Sequence, residues 1–121
     1  MTVINITRAV ASPDPAAAQT FYGDVLGLGR IMDLGWMATY AAPAAGPVRI
    51  SFMREGAGGA PIPDLSIEVD DADAVHARAV AAGLEILRPL ADESWGVRRL
   101  FLRDPFGQTV AVFSHHDGPP G

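Results

Sequence analysis

Apolar and polar residues alternate over several short stretches and recur at helical spacing over two longer ones. Residues 97–103 alternate and are rich in large side chains, as a half-buried strand requires. Asp104-Pro105-Phe106-Gly107 then turns the chain: Asp bonds the backbone ahead, Pro presets φ and Gly tolerates positive φ. Residues 109–113 form a second, β-branched strand, so the two make a hairpin. Residues 2–10 are β-branched enough to be another strand. Asp14-Pro15 opens a helix, because Asp caps free N–H groups and Pro suits the first helical position. Ala18, Phe21, Tyr22, Val25 and Leu26 fall at i, i+3, i+4, i+7 and i+8, which predicts one apolar face on a helix over 15–26. Gly27 closes it.

Three strands follow near 30–33, 36–41 and 48–53, and residues 42–47 (APAAGP) break the ladder between the last two. Residues 54–63 (REGAGGAPIP) are the most Gly/Pro-rich stretch and read as a linker. Residues 64–70 are a strand, Asp71 caps a helix over 72–82, Gly83 stops it, and residues 85–87 are a short strand before the hairpin. Each half therefore runs strand, helix, Gly stop and three strands, and Gly27-Leu28 recurs as Gly83-Leu84. That is a duplicated β-α-β-β-β unit. The expected fold is α+β: two tandem modules in one curved, mostly antiparallel eight-strand sheet, with helices on the convex face and a cleft on the concave face. Residues 1–115 make a single domain (module one about 1–54, linker 55–63, module two 64–115), and 116–121 a flexible tail.

Composition narrows the function. A chain of 121 residues, 49% of them apolar, can bury a core and is too dispersed in hydrophobicity for a membrane span. Cysteine is absent, which removes disulfides, thiolate catalysis and Cys-ligated zinc. No charged segment followed by an apolar run opens the chain, so the expected address is cytoplasmic. The formal net charge is −5 and every one of the nine basic residues is arginine, a balance that disfavours nucleic acid. Phosphate loops, dinucleotide fingerprints and nucleophile elbows are missing.

Asp14-Pro15, residues 21–28 (FYGDVLGL), residues 67–71 (IEVDD) with Ala82-Gly83, and Trp95-Gly96-Val97-Arg98 leading to Asp104-Pro105-Phe106-Gly107 together resemble the vicinal oxygen chelate (VOC) superfamily. That superfamily includes glyoxalase I, extradiol dioxygenases and the bleomycin- and mitomycin-binding resistance proteins. The resemblance spans nearly the whole chain. It implies a divalent metal on the concave face in the enzymes, with ligand positions that fall here at Thr7, Asp64, Ala111 and within 48–53. Only Asp64 is a competent ligand, and a catalytic metal needs about three from the protein. No metal or other cofactor is therefore expected. His76 reads as a helix boundary residue and His116 as part of the tail, whereas His115 shares strand parity with Ala111 and Phe113.

Ligand pockets are largely aromatic and apolar with a few orienting polar groups. The residues that meet this description are Trp36, Phe52, Asp64, Trp95, Arg99, Phe101, Ala111, Phe113 and His115. Trp95 matches the position at which the mitomycin-binding relatives set an aromatic against their ligand. Strand alternation puts Arg99 and Phe101 on one face and Arg98, Leu100 and Leu102 on the other. The expected function is metal-independent binding or sequestration of a small, partly aromatic molecule by a homodimer. The alternative is a VOC-type enzyme: a metal-dependent lyase or dioxygenase, or a metal-free isomerase with Asp64, the best catalytic candidate, as base.

Overall fold

The computed structural model describes residues 1–42 and 48–115. The expected tail and most of the break at 42–47 lie outside the described residues. The strands are β1 (Val3–Ala11), β2 (Gly29–Asp33), β3 (Met37–Ala41), β4 (Val48–Met53), β5 (Leu65–Val69), β6 (Ile86–Asp92), β7 (Val97–Arg103) and β8 (Thr109–His115). They form one mixed eight-stranded sheet in the order β2-β3-β4-β1-β5-β8-β7-β6. β1 runs parallel to β4 and β5 parallel to β8, while β2, β3 and β4 are antiparallel neighbours, as are β6, β7 and β8. The chain divides into two compact units, one of Ile6–Ile62 and a second of Met1–Asn5 with the chain from Pro63 onward.

The second unit packs α1 (Ala72–Ala81), the one α-helix among the described residues, on its strands. Val69, Ala72, Leu100 and Val112 are its buried centre, flanked by Ile67, Val75, Leu90, Leu102 and Val110. Asp71 caps the helix by accepting from the Ala74 N–H at 3.1 Å, and Gly83 ends it at φ 69°. Arg98 bridges Asp92 at 2.7 Å and Asp73 at 3.0 Å, which ties β7 to the first turn of α1. Hydrogen bonds to Asp92 and then Asp73 hold its guanidinium above the ordinary arginine pKa. At the hairpin turn the Asp104 carboxylate accepts from the Phe106 and Gln108 N–H groups, both at 2.8 Å. β6 extends to Asp92 rather than ending at residue 87. It lies at the sheet edge, where Pro89 is tolerated, and its register shifts on both sides of Arg88.

In the Ile6–Ile62 unit, Ala38, Tyr40 and Phe52 are buried against Val10, Ala18, Tyr22, Leu28 and Ile50. The expected α-helix over 15–26 is instead a 3-10 turn, Pro15–Ala17, followed by a π-helix, Gln19–Val25. Asp14 makes no side-chain capping bond. The wider π turn rotates successive side chains less, so residues four apart stay aligned while those three and seven apart leave the face. Ala18 and Tyr22 accordingly reach the core, whereas Phe21, Val25 and Leu26 are 56%, 70% and 56% exposed. Gln19 holds this turn: its amide donates to Asp24 at 3.1 Å and accepts from the Tyr40 hydroxyl at 3.3 Å. It lies where a Cβ on Gly23 would be, 2.1 Å from the amide nitrogen. The stretch expected to be a linker is folded back on itself. Gly56 is buried, and a Cβ there would lie 2.2 Å from the carbonyl oxygens of Ala60 and Pro61.

Candidate functional site

In the second unit Leu100 and Leu102 belong to the cluster beneath α1, so alternation sends Arg99 and Phe101 to the opposite face of β7. The same rule places Ala111, Phe113 and His115 of β8, and Ser66 and Glu68 of β5, on that face, because Val110, Val112, Ile67 and Val69 take the helix side. Register aligns them in rows. Glu68 is opposite Phe113, which is opposite Arg99; Ser66 is opposite Ala111, which is opposite Phe101; and His115 is opposite Val97.

The Arg99 guanidinium lies 4.9 Å from the Trp95 ring centroid and 4.8 Å from that of Phe101. Each such contact contributes ~0.5–2 kcal/mol, more where water is excluded. Its Nε donates to the Glu93 carboxylate, and the two side chains are 7% and 9% exposed. Burial pushes the Arg99 pKa down; the Glu93 hydrogen bond and charge oppose this, and Arg88 adds to it. Phe101 is fully buried, while Trp95 is half-buried on the tight loop joining β6 to β7, next to Gly96 at φ 90°.

On β1, Asn5 donates from Nδ2 to Glu68 Oε1 of β5 at 2.5 Å, and His115 Nε2 of β8 lies 3.4 Å from Glu68 Oε2. Asn5 is 3% exposed, and among the described residues its Oδ1 has no hydrogen-bond partner. An unsatisfied buried acceptor costs ~1–3 kcal/mol. Phe113 meets the His115 ring edge-on, with centroids 6.1 Å apart.

The family ligand positions do not assemble a metal centre. Ala111 is buried and offers no donor, and Thr7 is a buried hydroxyl on β1. Residues 48–53 hold no carboxylate or imidazole. Asp64 Oδ2 accepts from the Thr109 N–H at 2.8 Å while its own N–H donates to the Thr109 oxygen at 2.8 Å, so this carboxylate fastens the start of β5 to β8. Among the described residues no three of His, Cys, Asp and Glu gather as metal ligands. These donors do not fit a divalent metal, which asks for about three protein ligands with an open position.

Of the residues singled out from sequence, Trp95, Arg99 and Phe101 form one stack, and Phe113 and His115 adjoin it through the rows described above. Phe52 is elsewhere: it packs against Tyr22 and Tyr40 in the core of the Ile6–Ile62 unit, because β4 turns Ser51, not Phe52, away from the helix side. Trp36 also belongs to that unit, where its carbonyl accepts from the Arg54 N–H at 2.8 Å. A cavity of about 310 Å³ in the same unit is lined by Leu28, Tyr40, Ile50, Arg8 and Arg49 among others, and by none of the singled-out residues. Sequence reasoning missed Asn5, Glu68 and Glu93. Glu68 was readable as the charge alternating with Ile67 and Val69, and Asn5 as the lone amide in a β-branched strand. Glu93 required the full length of β6.

A model of the Glyoxalase/Bleomycin resistance protein/Dioxygenase superfamily matches residues 4–112. No curated protein sequence matches the chain. The NAD-dependent benzaldehyde dehydrogenase structure from Legionella pneumophila aligns with a TM-score of 0.75 at 17% identity, covering 91% of this chain and 98% of that one. A glyoxalase/bleomycin resistance protein/dioxygenase superfamily member from Vibrio splendidus 12B01 aligns at 0.62 and 17%, over 93% and 99% of the two chains. Methylmalonyl-CoA epimerase from Mycobacterium tuberculosis gives 0.62 and 19%, over 93% and 87%. At these identities the structural likeness speaks for the fold alone.

Proposed function

Given that the chain belongs to the glyoxalase/bleomycin resistance protein/dioxygenase superfamily, we propose that it binds a small, partly aromatic molecule by affinity alone, without a metal. The observation that carries this reading is the stack of Trp95, Arg99 and Phe101, continued by Phe113 and His115 on one sheet face. Such a surface combines aromatic area with a few fixed polar groups, as ligand sites do. Within the stack Trp95 is the accessible member, half-buried on a tight loop beside Gly96, while Arg99 and Phe101 are buried beneath it. The donor set at Thr7, Asp64 and Ala111 supports the metal-free part.

The enzymatic alternative with Asp64 as base draws no support from geometry, because that carboxylate is committed to the Thr109 N–H. A homodimer in the cytoplasm completes the reading. Exposed Phe21 and Val25 on the π-helix and Leu26 just after it, with Ile31 and Met32 on the edge strand β2, support self-association. No helix among the described residues is long and apolar enough to cross a membrane.

The test uses the Trp36→Phe protein, in which Trp95 is the sole tryptophan, titrated with a panel of planar aromatic compounds. Saturable change in Trp95 emission is expected for a subset of the panel. A panel that leaves the emission untouched counts against the site.

A further inference from the structure

Acceptors outnumber donors around Glu68. An ionised carboxylate offers about four lone-pair positions. Here one oxygen takes the Asn5 Nδ2 hydrogen at 2.5 Å, and the other has, among the described residues, the His115 imidazole 3.4 Å away. Asn5 adds a further acceptor, Oδ1, which is buried and without a donor among the described residues. Arg99, the nearest cation in the same cross-strand row, is held by Glu93, and Phe113 stands between it and Glu68 in that row. The Glu68 side chain is 12% exposed and that of its His115 neighbour 55%, so the pair keeps contact with solvent.

We infer that Asn5, Glu68 and His115 form a subsite for a protonated amine on the bound molecule, with Phe113 as the neighbouring apolar surface. An ammonium group brings three donors and one positive charge. It therefore supplies what the cluster lacks: donors for Glu68 and Asn5 Oδ1, and a countercharge for the carboxylate. A hydroxyl supplies one donor and no charge, and a carboxylate supplies neither and is repelled by Glu68. Over Phe113 the ammonium also meets the negative face of an aromatic ring. This inference rests on the binding reading above and narrows its ligand to an aromatic amine.

Three probes of one size test it: phenethylamine, 2-phenylethanol and phenylacetate, measured calorimetrically on the wild-type protein and on Glu68→Gln. Phenethylamine is expected to bind the wild type about tenfold or more tightly than either analogue, and Glu68→Gln to erase that preference. A melting curve of Glu68→Gln confirms that the fold is kept. A second measurement needs no variant: saturation with phenethylamine, but not phenylacetate, should move the ring-proton resonances of His115. Equal binding of the three probes, a preference for phenylacetate, or an amine preference that survives Glu68→Gln overturns the amine subsite while leaving the aromatic site standing. Tight stoichiometric Zn²⁺ or Mn²⁺ uptake that is lost in Glu68→Gln also overturns it, since the acceptors then serve a metal. Failure of all three probes to bind overturns the subsite and the aromatic site together.

Discussion

Replacing Glu93 by alanine leaves the Arg99 guanidinium without its counterion in a setting where its side chain is 7% exposed. Breaking a buried pair from one side typically costs ~3–5 kcal/mol, because the remaining charge stays desolvated. The stack on Trp95 and Phe101 survives the substitution and keeps ~0.5–2 kcal/mol of cation–π attraction, which places the expected cost at the lower end. For a domain of this size ~3 kcal/mol corresponds to a fall in Tm of about 12 °C. Urea unfolding of Glu93→Ala measures that cost, and Glu93→Leu, Arg99→Met and the double variant Glu93→Leu/Arg99→Met close a cycle. The double variant is expected near wild type, since swapping a buried pair for apolar residues is often neutral. Burial holds the Arg99 pKa below its unfolded value, so the unfolded chain binds that proton more tightly. Stability therefore rises with pH only in the alkaline window between the two values, and Arg99 adds no slope near neutrality. A cost below ~1 kcal/mol for Glu93→Ala, the level of a surface pair, would show that Arg99 swings into water and would refute the buried stack.

Other substitutions separate structural from binding roles. Trp95→Ala should lower stability by only ~1 kcal/mol, the value of one partly exposed cation–π contact, while weakening aromatic probes about tenfold; collapse of the fold would make Trp95 a core residue. Asp64→Ala should cost ~1 kcal/mol through the lost Thr109 hydrogen bond and leave probe affinity unchanged; a loss of binding above about tenfold would restore Asp64 to the site. Sedimentation should show twice the 12.7 kDa chain mass. Val25→Glu, at a side chain already 70% exposed, should return the monomer without lowering unfolding stability, and a wild-type monomer would remove the dimer from the account.

Where local chemistry decides conformation, the sequence was informative. Asp71 caps, Gly83 stops and the Asp104 turn closes through contacts a few residues away, and strand parity on β7 followed from alternation alone. The i, i+3, i+4 apolar pattern over residues 15–26 suits an α-helix and does not reveal the 3-10 and π turns that form. The Gln19 amide lying over Gly23, a tertiary detail fixed by Tyr40 and Asp24, accompanies a wider turn that turns Phe21 and Val25 outward. β6 was cut short because its tolerance of Pro89 depends on an edge position that only the assembled sheet reveals. The aromatic half of the proposed site is legible in the sequence, since tryptophan and phenylalanine near a turn draw notice by type. Its polar half is not: Asn5 meets Glu68 across 63 positions of sequence, and Glu93 meets Arg99 only once β6 and β7 pair.

Metal content separates a metal-free binding protein from a metalloenzyme. Metal-stripped protein is dialysed to equilibrium against Zn²⁺, Ni²⁺, Mn²⁺ and Fe²⁺ in turn, and the bound metal is measured by elemental analysis. With Ala111 and Thr7 at two of the ligand positions and Asp64 engaged by Thr109, uptake far below one ion per chain is expected for every metal, with aromatic probe affinity unchanged by their presence. One tightly held ion per chain, or probe binding that appears only with metal, would contradict it.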